Sequence, residues 1–329
     1  MKRAIVAVML TTLVVGGGAP ASADVVRGDT ARTRFPSTTG RFSTFDVPGA
    51  AITLPFSINE REQVAGVYLD PGATPNAADD SPWHGFVRDK RGRITTIDVP
   101  GAWATLVLGL NNRGQVAGYY LDADAVPTAD GVYPRGTVHG FLWEDGVFTT
   151  RDVRGAGGTG LADINDRGMV VGNYGEPGKI DFHGFMQHKR RRLTTIDVPG
   201  APGTEAVDGN NRGQIVGAYG DPCGIHICGA RPFLRSRTGR ITRIDLPGAA
   251  QTGVGGINDL GVIAGSYTGT DGVSHGYLRD AKGRITRIDV PGASSTLASE
   301  STSSGLIVGG YVDADGGVHG FLLRPDTRR

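Results

Sequence analysis

Short apolar runs, broken by polar and glycine-rich punctuation, fill most of the chain. Residues 214–219 (QIVGAY) and 262–267 (VIAGSY) read as short β-strands. Residues 139–143 (HGFLW) form a strand of another kind, followed by a turn at Glu144-Asp145-Gly146 and a further strand over 147–153. N-x-x-G strings, as at 111–114, 165–168, 210–213 and 258–261, stand between two apolar runs. They predict tight hairpin turns with Gly in the left-handed conformation. One unit is therefore four strands: A ending in I-N, B as Q-V-A-G-x-Y, C as H-G-F-L and D as I-T-x-I-D-V. Proline ends strand D, because it has no N–H to give to the ladder.

The unit recurs six times. A D-V-P-G-A-like string starts at Phe45, Ile97, Arg151, Ile196, Ile244 and Ile288, with spacings of 52, 54, 45, 48 and 44 residues. Strand B ends at Tyr68, Tyr120, Tyr174, Tyr219, Tyr267 and Tyr311. Strand C starts at His84, His139, His183, His275 and His319, and the fourth copy has Arg231-Pro232-Phe233 instead. Four antiparallel strands in about 50 residues, repeated in this way, predict an all-β, six-bladed β-propeller. The expected blades are about 51–102, 103–156, 157–201, 202–249 and 250–293, with 294–325 plus 41–47 as the sixth. The last copy stops after strand C, and residues 41–47 are a lone D strand. Joined, they complete one blade, close the ring and remove its exposed edges. An open β-solenoid, the competing reading, has no need of complementary half-blades.

The stretch HGFLWEDGVFTTRDVRGAGGTGLADINDRGMVVGNY (139–174) resembles the extracellular HAF repeats. Those are written around a His-small-Phe-Leu-Trp start, a Gly-Gly loop and an I-N-x-x-G-x-V-V-G end. The resemblance covers about residues 41–325, with Gly in place of Ala in the name-giving triplet and D-V-P-G-A where the family often has D-L-G-x-L-G-G. It implies an exported bacterial repeat protein and transfers neither an activity nor catalytic residues.

Composition agrees. Gly supplies 53 of 329 residues. Gly inside a helix costs up to about 1 kcal/mol against Ala, which argues against a helical bundle, and the lack of a three-residue period excludes collagen. Residues 1–23 have a signal-peptide pattern: Lys2 and Arg3, an apolar run over 4–15, and Ala21-Ser22-Ala23 at the cleavage site. Cleavage there leaves a flexible leader over 24–40 and the propeller over 41–329, secreted and with no transmembrane segment. It also turns the charge balance from 34 basic against 33 acidic residues to 32 against 33, a net −1. No nucleic-acid partner is expected of so balanced a chain.

Repeated residues are poor candidates for chemistry, because a ring spreads them while an active site needs converging groups. The five histidines and the six Asp of D-V-P-G-A (Asp46, Asp98, Asp152, Asp197, Asp245, Asp289) are read as structural, the histidines bonding a neighbouring strand or loop and the carboxylates accepting backbone N–H groups. The tyrosines are expected to pack between blades, and the Gly of G-x-Y to let adjacent sheets approach.

Function is sought where copies differ. The segments between strands B and C have 15, 18, 8, 11, 7 and 7 residues. The two longest, 69–83 and 121–138, are acidic and each carries an aromatic, and Trp103 lies in a D–A connection on the same face, so Asp70, Asp79, Asp80, Trp83, Trp103, Asp122, Asp124 and Tyr133 are candidate ligand contacts, with carboxylates for a cation or hydroxyls and rings for sugar stacking. Calcium could sit at Asp122/Asp124 or at Asp313-x-Asp315-Gly316, although the spacing falls short of a full calcium loop. No other metal or cofactor is indicated. The C–D turns (88–93, 187–192, 235–240, 279–284) hold 14 Lys/Arg, among them Arg91, Arg93, Lys189, Arg190, Arg191, Arg192, Arg237 and Arg284. They make a candidate face for an anionic polymer. Cys223 and Cys228 in CGIHIC are expected to form a disulfide in an exported chain.

The expected function is an exported, monomeric, non-enzymatic binding module for polysaccharide, a cell-wall polymer or a surface protein. The alternative is a hydrolase or lyase on carbohydrate or phosphate esters, built around Asp70, Asp79, Asp122 and Asp124.

Overall fold

The computed structural model describes residues 38–72, 82–125, 136–177, 179, 181–188, 192–223 and 226–326, with backbone alone at 223 and 226–228. The expected signal peptide and most of the leader lie outside the described residues. The architecture is all-β. A lone strand β1 (Gly40–Phe45) comes first. The first unit is β2 (Ile52–Ile58), β3 (Val64–Leu69), β4 (Trp83–Arg88) and β5 (Ile94–Ile97), and the second is β6 (Ala102–Leu110), β7 (Val116–Asp122), β8 (Val138–Glu144) and β9 (Val147–Thr150). The third is β10 (Gly158–Ile164), β11 (Met169–Gly175), β12 (Phe182–His188) and β13 (Thr194–Ile196). The fourth is β14 (Gly203–Gly209), β15 (Ile215–Cys223), β16 (His226–Arg235) and β17 (Ile241–Arg243). The fifth is β18 (Gln251–Ile257), β19 (Ile263–Thr268), β20 (Ser274–Arg279) and β21 (Ile285–Ile288), and the last is β22 (Ser295–Ser301), β23 (Ile307–Val312) and β24 (Val318–Pro325). Within each unit successive strands pair antiparallel.

The first and last of the described strands pair. β1 lies antiparallel to β24, from Gly40↔Pro325 to Phe45↔Gly320, and supplies the last unit with its fourth strand. Each second strand packs on the first strand of the next unit, and β23 packs on β2. Ser299 Oγ donates to Pro55 O at 2.8 Å across that same junction.

The core lies between units. Leu54, Val67, Trp83, Leu106 and Leu121 are buried together at one junction, and Ala65, Ile97, Val107, Val116 and Phe141 at another. Every first strand carries a β-bulge, for example between Pro55 and Ser57 and between Val107 and Gly109. The Gly of G-x-Y faces that bulge. A Cβ on Gly118 would overlap the Leu106 carbonyl oxygen, and one on Gly217 the Glu205 oxygen. The close approach is thus within a unit, against the bulged neighbour strand, and not between adjacent sheets as expected from sequence.

V-P-G-A forms a turn closed by Ala50 N–H to Val47 O at 3.0 Å, with Gly49 at φ 80°. Positive φ after Pro is the type II pattern. The turn is pinned to the following strand by Val47 N–H donating to Thr53 Oγ1 at 3.0 Å, and the pattern recurs at Val99–Thr105, Val153–Thr159, Val198–Thr204 and Val290–Thr296.

Candidate functional site

Antiparallel alternation puts the turns joining first to second and third to fourth strands at one end of the units. The D-V-P-G turns and the segments between second and third strands lie at the other. Chemistry-bearing residues gather at three places: the loop end, the turn end, and a cavity shared by the six units.

At the loop end each histidine is held between two acids. His139 Nδ1 faces Asp152 Oδ2 at 2.7 Å and Nε2 faces Asp122 Oδ2 at 3.3 Å. His84 does the same with Asp98 (2.8 Å) and Asp70 (3.4 Å), and His275 with Asp289 (2.9 Å) and Asp271 (3.4 Å). His183 lies between Asp197 (3.0 Å) and Glu176 (3.6 Å), and His319 between Asp46 (3.0 Å) and Asp313 (3.1 Å). Each of these five histidines thus bonds the Asp of D-V-P-G, and that Asp also accepts from the backbone of strand C, as Gly140 N–H to Asp152 Oδ1 at 3.1 Å. The strand-B tyrosines do not simply fill space between units. Tyr68 and Tyr120 stack on the His84 and His139 rings, and their hydroxyls bond Thr96 and Thr150 of their own units. In the fourth unit Arg231 takes the register position opposite Tyr219, and Asp245 pairs instead with Arg243 at 2.6 Å.

The candidate ligand contacts are accordingly dispersed. Asp70 and Asp122 each face a histidine of their own unit. Trp83 is only 2% exposed, inside the core, and the half-buried Trp103 packs against the same cluster, so Trp83 presents no ring for stacking. Asp124 is exposed. Asp79, Asp80 and Tyr133 lie outside the described residues. Of the calcium candidates, Asp313 already accepts from Asp315 N–H and Gly317 N–H and faces His319. The side chains of Cys223 and Cys228 are outside the described residues; their backbones pair with those of His226 and Asp221.

At the turn end the C–D turns are shaped by an Asp or Ser and a left-handed Gly. Asp89 Oδ1 accepts N–H from Arg91 and Arg93, and Gly92 has φ 88°. Asp280 does the same for Lys282 and Arg284. Arg93 and Arg284 pair with these acids, so they are partly neutralised locally. Arg91, Arg192, Arg237, Arg240 and Lys282 are exposed. Lys189, Arg190 and Arg191 lie outside the described residues.

The third place is a polar cavity lined by residues from all six units. Its rim is the Asn that opens the turn between first and second strands: Asn59, Asn111, Asn165, Asn210 and Asn258. Asn59 Oδ1 accepts N–H from Arg61 and Gln63, and its Nδ2 donates to Asn111 O of the next unit at 3.0 Å. Asn111, Asn165, Asn210 and Asn258 pass the same bond on, ending at Thr302 O. Ser303 N–H then donates back to Glu60 Oε1. Below the rim lie Asp163, Asp208 and Glu300. Asp208 accepts Ile257 N–H at 2.5 Å, and Glu300 accepts Ile58 N–H at 2.8 Å. Burial raises the pKa of all three, and the charge of Asp208 raises Asp163 and Glu300 further. Asp163 and Asp208 hydrogen-bond one another, which requires a proton between them. Burial alone pushes Glu205, on the same inner layer, up to about 8. Carboxyls that keep protons near neutrality can donate as well as accept hydrogen bonds.

Sequence reasoning missed these carboxyls. They occupy one column of the first strands, the position after the bulge: Ser57, Gly109, Asp163, Asp208, Gly256 and Glu300. Stacking the six A strands on their recurring Thr (Thr53, Thr105, Thr159, Thr204, Thr252, Thr296) exposes a column that turns acidic in three units. Among the described residues, no three His, Cys, Asp or Glu side chains are arranged to hold a metal ion. No described helix is long and apolar enough to cross a membrane.

No protein-family model and no curated protein sequence matches the chain. Solved structures are similar in fold. TolB from Acinetobacter baumannii is 13% identical, with a TM-score of 0.50 over 81% of this chain and 64% of TolB, so this chain spans less than two thirds of that protein's length. The β-propeller domain of the trilobed protease from Pyrococcus furiosus is 12% identical, with a TM-score of 0.46 over 84% of this chain and 96% of that one. The Aleuria aurantia lectin in complex with α-methyl-L-fucoside is 10% identical, with a TM-score of 0.44 over 70% and 75%. With the strand pairing above, the likeness to TolB gives the chain an all-β, propeller-like fold.

Proposed function

We propose that the chain is an exported six-bladed β-propeller of HAF-type repeats that binds rather than catalyses. Its turn end holds an anionic polymer, such as a phosphate-bearing cell-wall polymer or an acidic polysaccharide. The ring reading rests on the pairing of β1 with β24 and the packing of β23 on β2. One observation carries the binding reading. Arg91, Arg192, Arg237, Arg240 and Lys282 stand exposed at one end, with no ion-pair partner among the described residues. Guanidinium groups suit phosphate and carboxylate oxygens, and an exposed cationic rim steers polyanions. The loop end carries two acids around each histidine and repels the same polymer, which sets the orientation of binding. The catalytic alternative has less support, because Asp70 and Asp122 face histidines of their own units and not one another.

Retention on poly(glycerol phosphate) and on polygalacturonate, titrated with salt, tests the reading. Binding is expected at low ionic strength and should weaken steeply above about 0.1 M salt, where exposed charges are screened beyond about 10 Å. Arg237→Ala with Arg240→Ala should weaken it several-fold and leave the unfolding midpoint unchanged. Failure to bind either polymer at low salt would sink the proposal.

A further inference from the structure

His319 ties three segments together. It sits on β24. Its Nδ1 faces Asp46, in the connection that follows β1, at 3.0 Å, and its Nε2 faces Asp313, in the β23–β24 hairpin, at 3.1 Å. The Tyr311 ring covers it at 5.2 Å between centroids, and the Tyr311 hydroxyl bonds Thr44 of β1 at 3.0 Å. Asp46, Asp313 and Tyr311 are the titratable groups facing this ring.

A neutral imidazole has one N–H. It can donate to one carboxylate, and its other nitrogen then points a lone pair at the second. Only the doubly protonated ring satisfies both acids. We propose that His319 is a proton-operated latch on the closure of the molecule, holding the N-terminal strand β1 against β24 when protonated and loosening it when neutral.

The electrostatics agree with the geometry. Burial opposes the charged ring, but the bonds to Asp46 and Asp313 outweigh it and raise the pKa of His319 above its ordinary value. The same partner bonds hold Asp313 below the usual carboxylate range. A raised histidine pKa adds stability that is complete below about 6.5 and is lost as pH rises through the folded value. Depressed Asp313 adds stability that is lost only as pH falls below about 4. The latch is therefore closed between about pH 4.5 and 6.5 and opens on the alkaline side.

Hydrogen exchange of the full chain at pH 6 and pH 8.5, corrected for intrinsic exchange rates, reads the latch directly. Opening of β1, measured against the amides of β22 and β23, should become several-fold more frequent at pH 8.5 than at pH 6. His319→Gln should remove that pH dependence. Asp313→Asn, which leaves the Asp46 bond in place, should move the transition to lower pH, as followed by the His319 ring signal in NMR. Equal β1 protection at both pH values in the unmodified protein would overturn the proposal. So would a pH dependence that survives in His319→Gln or a transition that stays in place in Asp313→Asn.

Discussion

Gly118 and Gly114 lie four residues apart and have different jobs. Gly114 has φ 85° in a turn and open space around its α-carbon. Gly118 is hemmed in by the bulged strand β6 and the Phe141 ring. Gly114→Ala should cost about 1–2 kcal/mol, the strain of a left-handed L-residue. Gly118→Ala should cost about 3 kcal/mol or more, because backbone must move. Urea unfolding of both variants checks the order, and equal costs would contradict the bulge account. The abundance of Gly was plain in the sequence, and so was the turn role. The second role was not, because a bulge is a property of two paired strands. The histidines were legible as structural for a simple reason: one per repeat cannot converge. Their second acid was not legible, because it lies at a variable distance before the histidine, 14 residues for Asp70 and 4 for Asp271.

At the scale of the element, the first strands carry what differs between units. Leu54, Leu106 and Leu297 pack into one apolar cluster, while the matching positions in the third to fifth units are Gly160, Glu205 and Gly253. Glu205 is thus an acid at a site built for an aliphatic side chain, and burial lifts it to about 8. A carboxyl raised in the folded state binds more protons there than in the unfolded chain, so stability falls as pH rises from about 4.5 toward the folded value. Glu205→Gln should therefore raise the urea midpoint at pH 8 and flatten its decline between pH 6 and 8. An unchanged profile would show that this carboxyl is ionised at no cost. Strand positions and hairpin turns were legible from the repeat itself. The inner-layer carboxyls were not, because burial of an A-strand residue depends on the neighbouring unit, which no single copy reveals.

At the scale of the molecule, the half-unit at each end of the repeat was the most informative feature of the sequence. The last unit has three strands of its own, and the lone β1 supplies the fourth in the register from Gly40↔Pro325 to Phe45↔Gly320. Several charges at the turn end are answered locally. Asp89 and Asp280 answer Arg93 and Arg284 within their own turns, and Glu62 pairs with Arg324. The proposed polymer site rests on the cations left exposed there, and an anionic polymer should choose that end. Hydrogen exchange of the protein with and without saturating poly(glycerol phosphate) at low salt makes that choice visible. The account predicts slowed exchange in the turns at 89–93, 235–240 and 279–284, with the D-V-P-G turns unchanged. Slowing at 46–50, 98–102 or 313–318, or none anywhere, would contradict it.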